Sequence, residues 1–156
     1  MKKEINFNLK INKDSFYTNQ SGSTIGIIFF EVDGYIFPSN DWYDFVVVLL
    51  YWLSKSIIDL IIKKETMIEM DFMEGPLKVS LILDQDDQCT INFIEGEKLA
   101  GDEEIIHRTI TVPFSLVKNE VVKACKIVVQ SKESGKIPFN DDYKNLKTTY
   151  DLLLKY

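Results

Sequence analysis

The chain has 156 residues, of which 46% are hydrophobic, 12% aromatic and 27% charged, with two cysteines, four prolines and a formal net charge of −6 at pH 7. That length and balance suit one globular domain with its own core, 1–156, and exclude a disordered chain or a disulfide framework. Acids outnumber bases 24 to 18 and only one base is an arginine, Arg108, so no nucleic-acid partner is expected.

Ile5, Phe7, Leu9 and Ile11 alternate with polar residues, which predicts a half-buried strand. The Asn- and Ser-rich stretch 12–22 reads as a loop. Residues 23–32 are apolar on both faces and read as a central strand. Asp33-Gly34 predicts a tight hairpin turn into the return strand Tyr35-Ile36-Phe37, which Pro38 ends. A helix is expected over 40–64, with Ser39 or Asn40 as its cap and Asp41 and Asp44 in its first turn, where carboxylates favour the dipole. Its run Phe45–Leu53 is the longest unbroken apolar stretch, nine residues. A membrane span needs about 20, so a buried helix and no membrane association are expected.

Four strands follow. Ile68, Met70 and Phe72 lie on the first, and Leu77, Val79, Leu81 and Leu83 on the second. Cys89, Ile91 and Phe93 lie on the third; Ile106, Arg108, Ile110 and Val112 share one parity of the last. Short turns between them predict an antiparallel meander. Val117, Val121, Ala124 or Cys125, and Val128 stripe a helix that Ser115 caps and Gly135 stops. Tyr143, Leu146, Tyr150 and Leu153 stripe a last helix capped by Asn140 or Asp141. The order of three strands, a helix, four strands and two helices predicts an α+β fold: about seven strands in one antiparallel sheet, with three helices mainly on one face.

The charge is concentrated. Asp84, Asp86, Asp87, Glu95, Glu97, Asp102, Glu103 and Glu104 share the stretch 84–104 with a single base, Lys98. The remaining residues are close to neutral. Two readings are open: charged turns that keep a sheet edge soluble, or an interface for a basic protein. On the second reading the partner-binding residues are Asp84, Asp86, Asp87, Glu97, Asp102, Glu103 and Glu104, gathered on one outer rim.

Catalytic chemistry finds little support. The only histidine, His107, sits mid-strand without a nucleophile placed beside it, and no G-x-S-x-G elbow or Gly-rich phosphate loop occurs. Asp84, Asp86, Gln88, Thr90, Asn92 and Glu95 fall at the ligand spacing of a calcium loop. Cys89 stands where that loop needs glycine, and strands replace its helices, so an EF-hand is rejected. No catalytic residue, metal or cofactor is therefore assigned. Cys89 and Cys125 read as buried free thiols of a reducing compartment. Residues 1–6 open without a signal-peptide pattern, so a cytoplasmic location is expected. An alternative is a small-molecule-binding protein or an enzyme of unrecognised type, with a pocket between the sheet and the helix 40–64 lined by Trp42, Tyr43 and Trp52. A third reading has the last helix presenting Tyr143, Tyr150 and Tyr156 to a second copy.

Asp41-Trp42-Tyr43-Asp44-Phe45, then Trp52, then Asp71-Phe72-Met73-Glu74-Gly75-Pro76 form a W-x-D-F … W … F-M-E-G-P pattern over about a quarter of the chain. The pattern resembles small uncharacterised bacterial single-domain proteins of low-GC organisms, some of which act as immunity partners of secreted toxins. The lysine-rich, arginine-poor composition agrees with an AT-rich genome. The resemblance implies a non-enzymatic domain and carries no functional residues with it.

Overall fold

A computed structural model describes residues 4–96 and 103–156. Its elements run β1 (Phe7–Thr18), β2 (Thr24–Val32), β3 (Tyr35–Phe37), β4 (Tyr43–Asp44), α1 (Val46–Ile61), β5 (Met67–Asp71), β6 (Leu77–Leu83), β7 (Gln88–Glu95), β8 (Ile105–Pro113), α2 (Phe114–Glu133) and α3 (Asp141–Leu153). The class is α+β with antiparallel pairing throughout.

The strands divide into two four-stranded sheets where the sequence reading gathers them in one. In the first, β2 is central, flanked by β1 on one side and by β3 and β4 on the other. The second is the meander β5-β6-β7-β8. The helix between them interrupts the ladder, and the sheets join through side chains. Phe93 on β7 is fully buried, with ring centroids 5.8 Å from Phe30, 5.8 Å from Tyr35 and 5.2 Å from Phe37. Phe72 meets Phe30 at 6.4 Å and Phe37 at 6.0 Å, both edge-on, the geometry that ring quadrupoles favour. The Arg108 guanidinium lies 4.5 Å over the Tyr35 ring and closes the end of this seam. One apolar cluster draws on both sheets and all three helices.

Helix α1 packs on α3 and α2 and also touches β2 and β5. This explains why its middle turns are apolar nearly all round: Leu49, Leu50, Leu53 and Ile57 are all buried. The Ser54 and Thr149 hydroxyls meet at 2.7 Å within the α1–α3 contact. Tyr143 and Tyr150 are buried in the core, which removes them from the self-association surface considered above; Tyr156 is exposed. Asn140 caps α3, its side-chain oxygen accepting from the Tyr143 N–H at 3.0 Å. Asp33-Gly34 forms the expected two-residue turn between Val32 and Tyr35, with φ of 48° and 85°.

Three boundaries differ from expectation. β1 runs on to Thr18, because a register shift between Asn12 and Tyr17 lets Tyr17 and Thr18 pair with Ile25 and Thr24. The polar residues that suggested a loop lie on the wet part of this strand. α2 starts at Phe114 without a side-chain cap; the Phe114 N–H donates to the Asp87 carbonyl at 2.9 Å. α1 starts at Val46 and ends at Ile61, and its expected first turn is instead the extended pair Tyr43–Asp44 on β2.

Phe93 is fully buried and meets three other rings. Phe93→Ala is expected to destabilise the fold by about 3–5 kcal/mol, measured by urea unfolding. Ile82→Ala, on the exposed side of β6, is expected to change the same midpoint little.

Candidate functional site

The acidic residues do not share one rim. Asp84, Asp86 and Asp87 occupy the β6–β7 turn, beside Pro113 and the start of α2. Glu103 and Glu104 precede β8 at the other end, where Ile105 pairs with Glu95. β7 separates the two groups by seven residue steps, roughly 23 Å. Glu97 and Asp102 lie outside the described residues. The single rim expected from the sequence is therefore replaced by two acidic ends of one sheet. Meander topology is the cause, because successive turns fall at alternate ends.

The two ends differ chemically. The Asp84 turn is locally satisfied: Asp84 Oδ1 accepts from the Asp86 N–H at 2.8 Å and the Gln88 N–H at 3.0 Å, and Asp87 takes a left-handed φ of 58°. These bonds build a turn. Among the described residues, no group of three His, Cys, Asp or Glu side chains is placed to hold a metal ion. At the other end Lys78 bridges Glu69, at 3.2 Å, and Glu104. Both partners raise the Lys78 pKa, the Glu104 hydrogen bond most. His107 Nε2 lies 3.8 Å from Glu95. Exposed Met73, Ile105 and Ile106 stand among these charges.

Ile106 reaches the surface through a bulge. Phe93 pairs with Arg108 while Ile94 pairs with Ile106, so His107 is an extra residue in β8. Ile106 therefore leaves the inner parity it was expected to share with Ile110 and Val112. It joins the outer face with Lys78 and Ile94 and is 56% exposed.

Trp42, Tyr43 and Trp52 do not converge, so the pocket they were expected to line is not formed by them. Trp52 is 41% exposed on α1, and Tyr43 is 45% exposed on the outer side of β4, near Tyr17. Trp42 packs edge-on against Phe72 at 6.1 Å. Cavities of 390–610 Å³ open at the surface elsewhere, and none of the four is lined by these three residues.

The centre that the sequence reading missed is Asp44. It was placed in a helical first turn, but its carboxylate is fully buried. Oδ2 accepts from the Trp42 indole N–H at 3.0 Å and the Glu74 N–H at 3.3 Å. Oδ1 accepts from the Phe45 N–H at 2.7 Å and the Met73 N–H at 3.3 Å. Gly75 has a φ of 91°, and the Trp42 ring edge would lie 3.4 Å from any Cβ there. The W-x-D-F and F-M-E-G-P segments are thus two halves of one knot between the sheets. Their joint presence was the available signal.

The thiols are also structural. Burial pushes the Cys89 thiol up to about 11 and the Cys125 thiol up to about 12, so neither is a nucleophile at neutral pH.

Two outcomes are expected. Asp44→Ala strands four N–H donors and costs about 3 kcal/mol, whereas Trp42→Phe, which keeps a ring and loses one donor, costs about 1 kcal/mol by the same unfolding assay. Because both thiols titrate higher folded than unfolded, the folded state holds the extra protons. Their stabilising contribution is present below the ordinary thiol pKa and is lost as pH rises through about 11 to 12. The urea midpoint should fall on that side, and fall less steeply in a Cys89→Ala/Cys125→Ala double variant.

No helix among the described residues is long and apolar enough to cross a membrane. Comparison with family models, curated proteins and solved structures finds no match, so the geometry is the basis for any reading of function.

Proposed function

We propose that the chain is a non-enzymatic protein-binding module for a basic partner, and that its specific role is that of an immunity protein neutralising a basic toxin. The observation that carries this reading is the composition of the Glu95–Ile105 end of the second sheet. Glu69, Asp71, Glu74, Glu95, Glu103 and Glu104 lie at the same end as exposed Met73, Ile105 and Ile106, with Lys78 and Arg108 as nearby cations among the described residues. An apolar centre within a charged rim is the anatomy of a protein interface. The net negative field there would speed encounter with a cationic surface and disfavour acidic ones. Asp84, Asp86 and Asp87, roughly 23 Å away, add to this field at low salt only. The buried polar side chains are all partnered among the described residues, which agrees with a scaffold more than with a reaction centre.

The test is affinity capture from the source cell with three baits: the native chain, Glu103→Lys/Glu104→Lys, and Asp86→Lys/Asp87→Asn. A basic protein should be retained by the first at low salt, released at high salt, and lost from the second. The third should lose it only in part. When expressed alone, that protein should arrest growth, and co-expression of the native chain should restore it. Capture that is indifferent to the Glu103/Glu104 reversal would overturn the interface. A captured protein that is harmless alone would overturn the immunity role.

A further inference from the structure

Among the described residues, the edges of the two sheets are covered to different degrees. The outer edge of β1 lies against α2, where the buried Glu120 carboxylate accepts the Leu9 N–H at 3.1 Å and is itself paired with Lys123 at 3.0 Å. β3 and β4 are three and two residues long, and β5 has five residues and packs against α1. β8 has nine residues and pairs on one side with β7; its other edge has no backbone partner among the described residues. Alternate residues of such an edge direct N–H and C=O groups outward, so an edge this long is a template for another strand. Beside its second half opens a groove of about 610 Å³, walled by Thr111 and Val112, by Leu116 and Asn119 of α2, and by Ile5.

We propose that β8 is the docking edge for an extended segment of the basic partner, which adds to the second sheet as a fifth strand with a cationic residue at each end. The proposal rests on the protein-binding reading and names its mode. The charge arrangement selects the occupant. Glu103 and Glu104 stand at one end of β8, and the Asp84–Asp87 turn, tied to Phe114, stands at the other. A segment lying along β8 therefore ends among acids whichever way it runs. A second copy of this chain, pairing antiparallel through β8, would set Glu103 and Glu104 of each copy against the Asp84–Asp87 turn of the other. That acid-on-acid contact disfavours the homodimer. Strand addition draws its affinity from main-chain hydrogen bonds and its selectivity from alternate side chains. The outer row Ile106, Thr109 and Thr111 would meet one face of the incoming strand.

The probe is a nine-residue peptide of alternating threonine and valine with a lysine at each end, added to the full chain at saturating concentration. Amide hydrogen exchange is followed residue by residue. Alternate amides of β8 should slow by about tenfold or more, while those of β5 stay unchanged. Two further peptides carry backbone N-methyl groups on one or the other alternate set of residues. One should lose the protection and the other should keep it. Unchanged exchange along β8, or equal behaviour of the two N-methylated peptides, overturns the proposal. So does protection of β8 without peptide that rises with protein concentration, which would assign the edge to a second copy. If capture of the basic protein depends on Glu103 and Glu104 while β8 stays unprotected, the interface stands and strand addition falls. If capture also fails, both fall.

Discussion

A buried carboxylate with no ion-pair partner among the described residues holds the two halves of this molecule in register. Taking a charge out of water is costly, and Asp44 is tolerated because four N–H groups converge on its two oxygens. Those donors come from two places nearly thirty residues apart in sequence. Trp42 and Phe45 belong to the approach to α1, and Met73 and Glu74 to the β5–β6 turn. The same residue pairs with Gly26 on β2. One side chain therefore sets where the first sheet ends, where α1 begins, and how the hairpin of the second sheet is anchored. The aromatic seam around Phe93 supplies more buried area, but burial is non-directional, whereas these hydrogen bonds admit one arrangement.

Meander connectivity decides the electrostatics. In a four-stranded meander, consecutive connections must lie at opposite ends, and a net charge that is contiguous in sequence is split in space. The split leaves β8 between two anionic ends, on the side of the sheet away from β7. Along the outer face the cross-strand polar pairs are satisfied: Thr90 with Thr111 at 3.2 Å, Thr109 with Asn92 at 2.6 Å, and Asn92 with Ser80 at 3.0 Å. These pairs tie β6, β7 and β8 together across the face, while the outer margin of β8 has no backbone partner among the described residues.

What the sequence revealed and what it hid follow from physical range. Alternation and helical stripes are local, and they located the Leu77–Leu83 strand, the Val117–Val128 stripe and the Asn140 cap. Asp33-Gly34 was legible because a two-residue turn needs positive φ at both positions. Asp44 was misread because a carboxylate before an apolar helical run suits a helix start equally well; only the distant Met73 and Glu74 N–H groups decide otherwise. The continuation of β1 was hidden because Asn12, Lys13 and Asp14 are exposed on a strand whose inner contacts resume at Ser15 and Phe16. Trp42, Tyr43 and Trp52 fall within one expected helix, yet the first two precede the helix that forms. Their side chains consequently part company.

The extra residue in β8 has a consequence of its own. Side chains along a strand alternate, so inserting a single position reassigns everything on one flank of it. His107 is that position, and it turns Ile106 from a filler of the interior into an oily spot on the skin. Its exposure is a matter of parity rather than of hydropathy. A strand that ran through His107 without the bulge would set Ile106 opposite Glu95, on the inner side, and take from this margin of the molecule an apolar patch that it offers to a visitor.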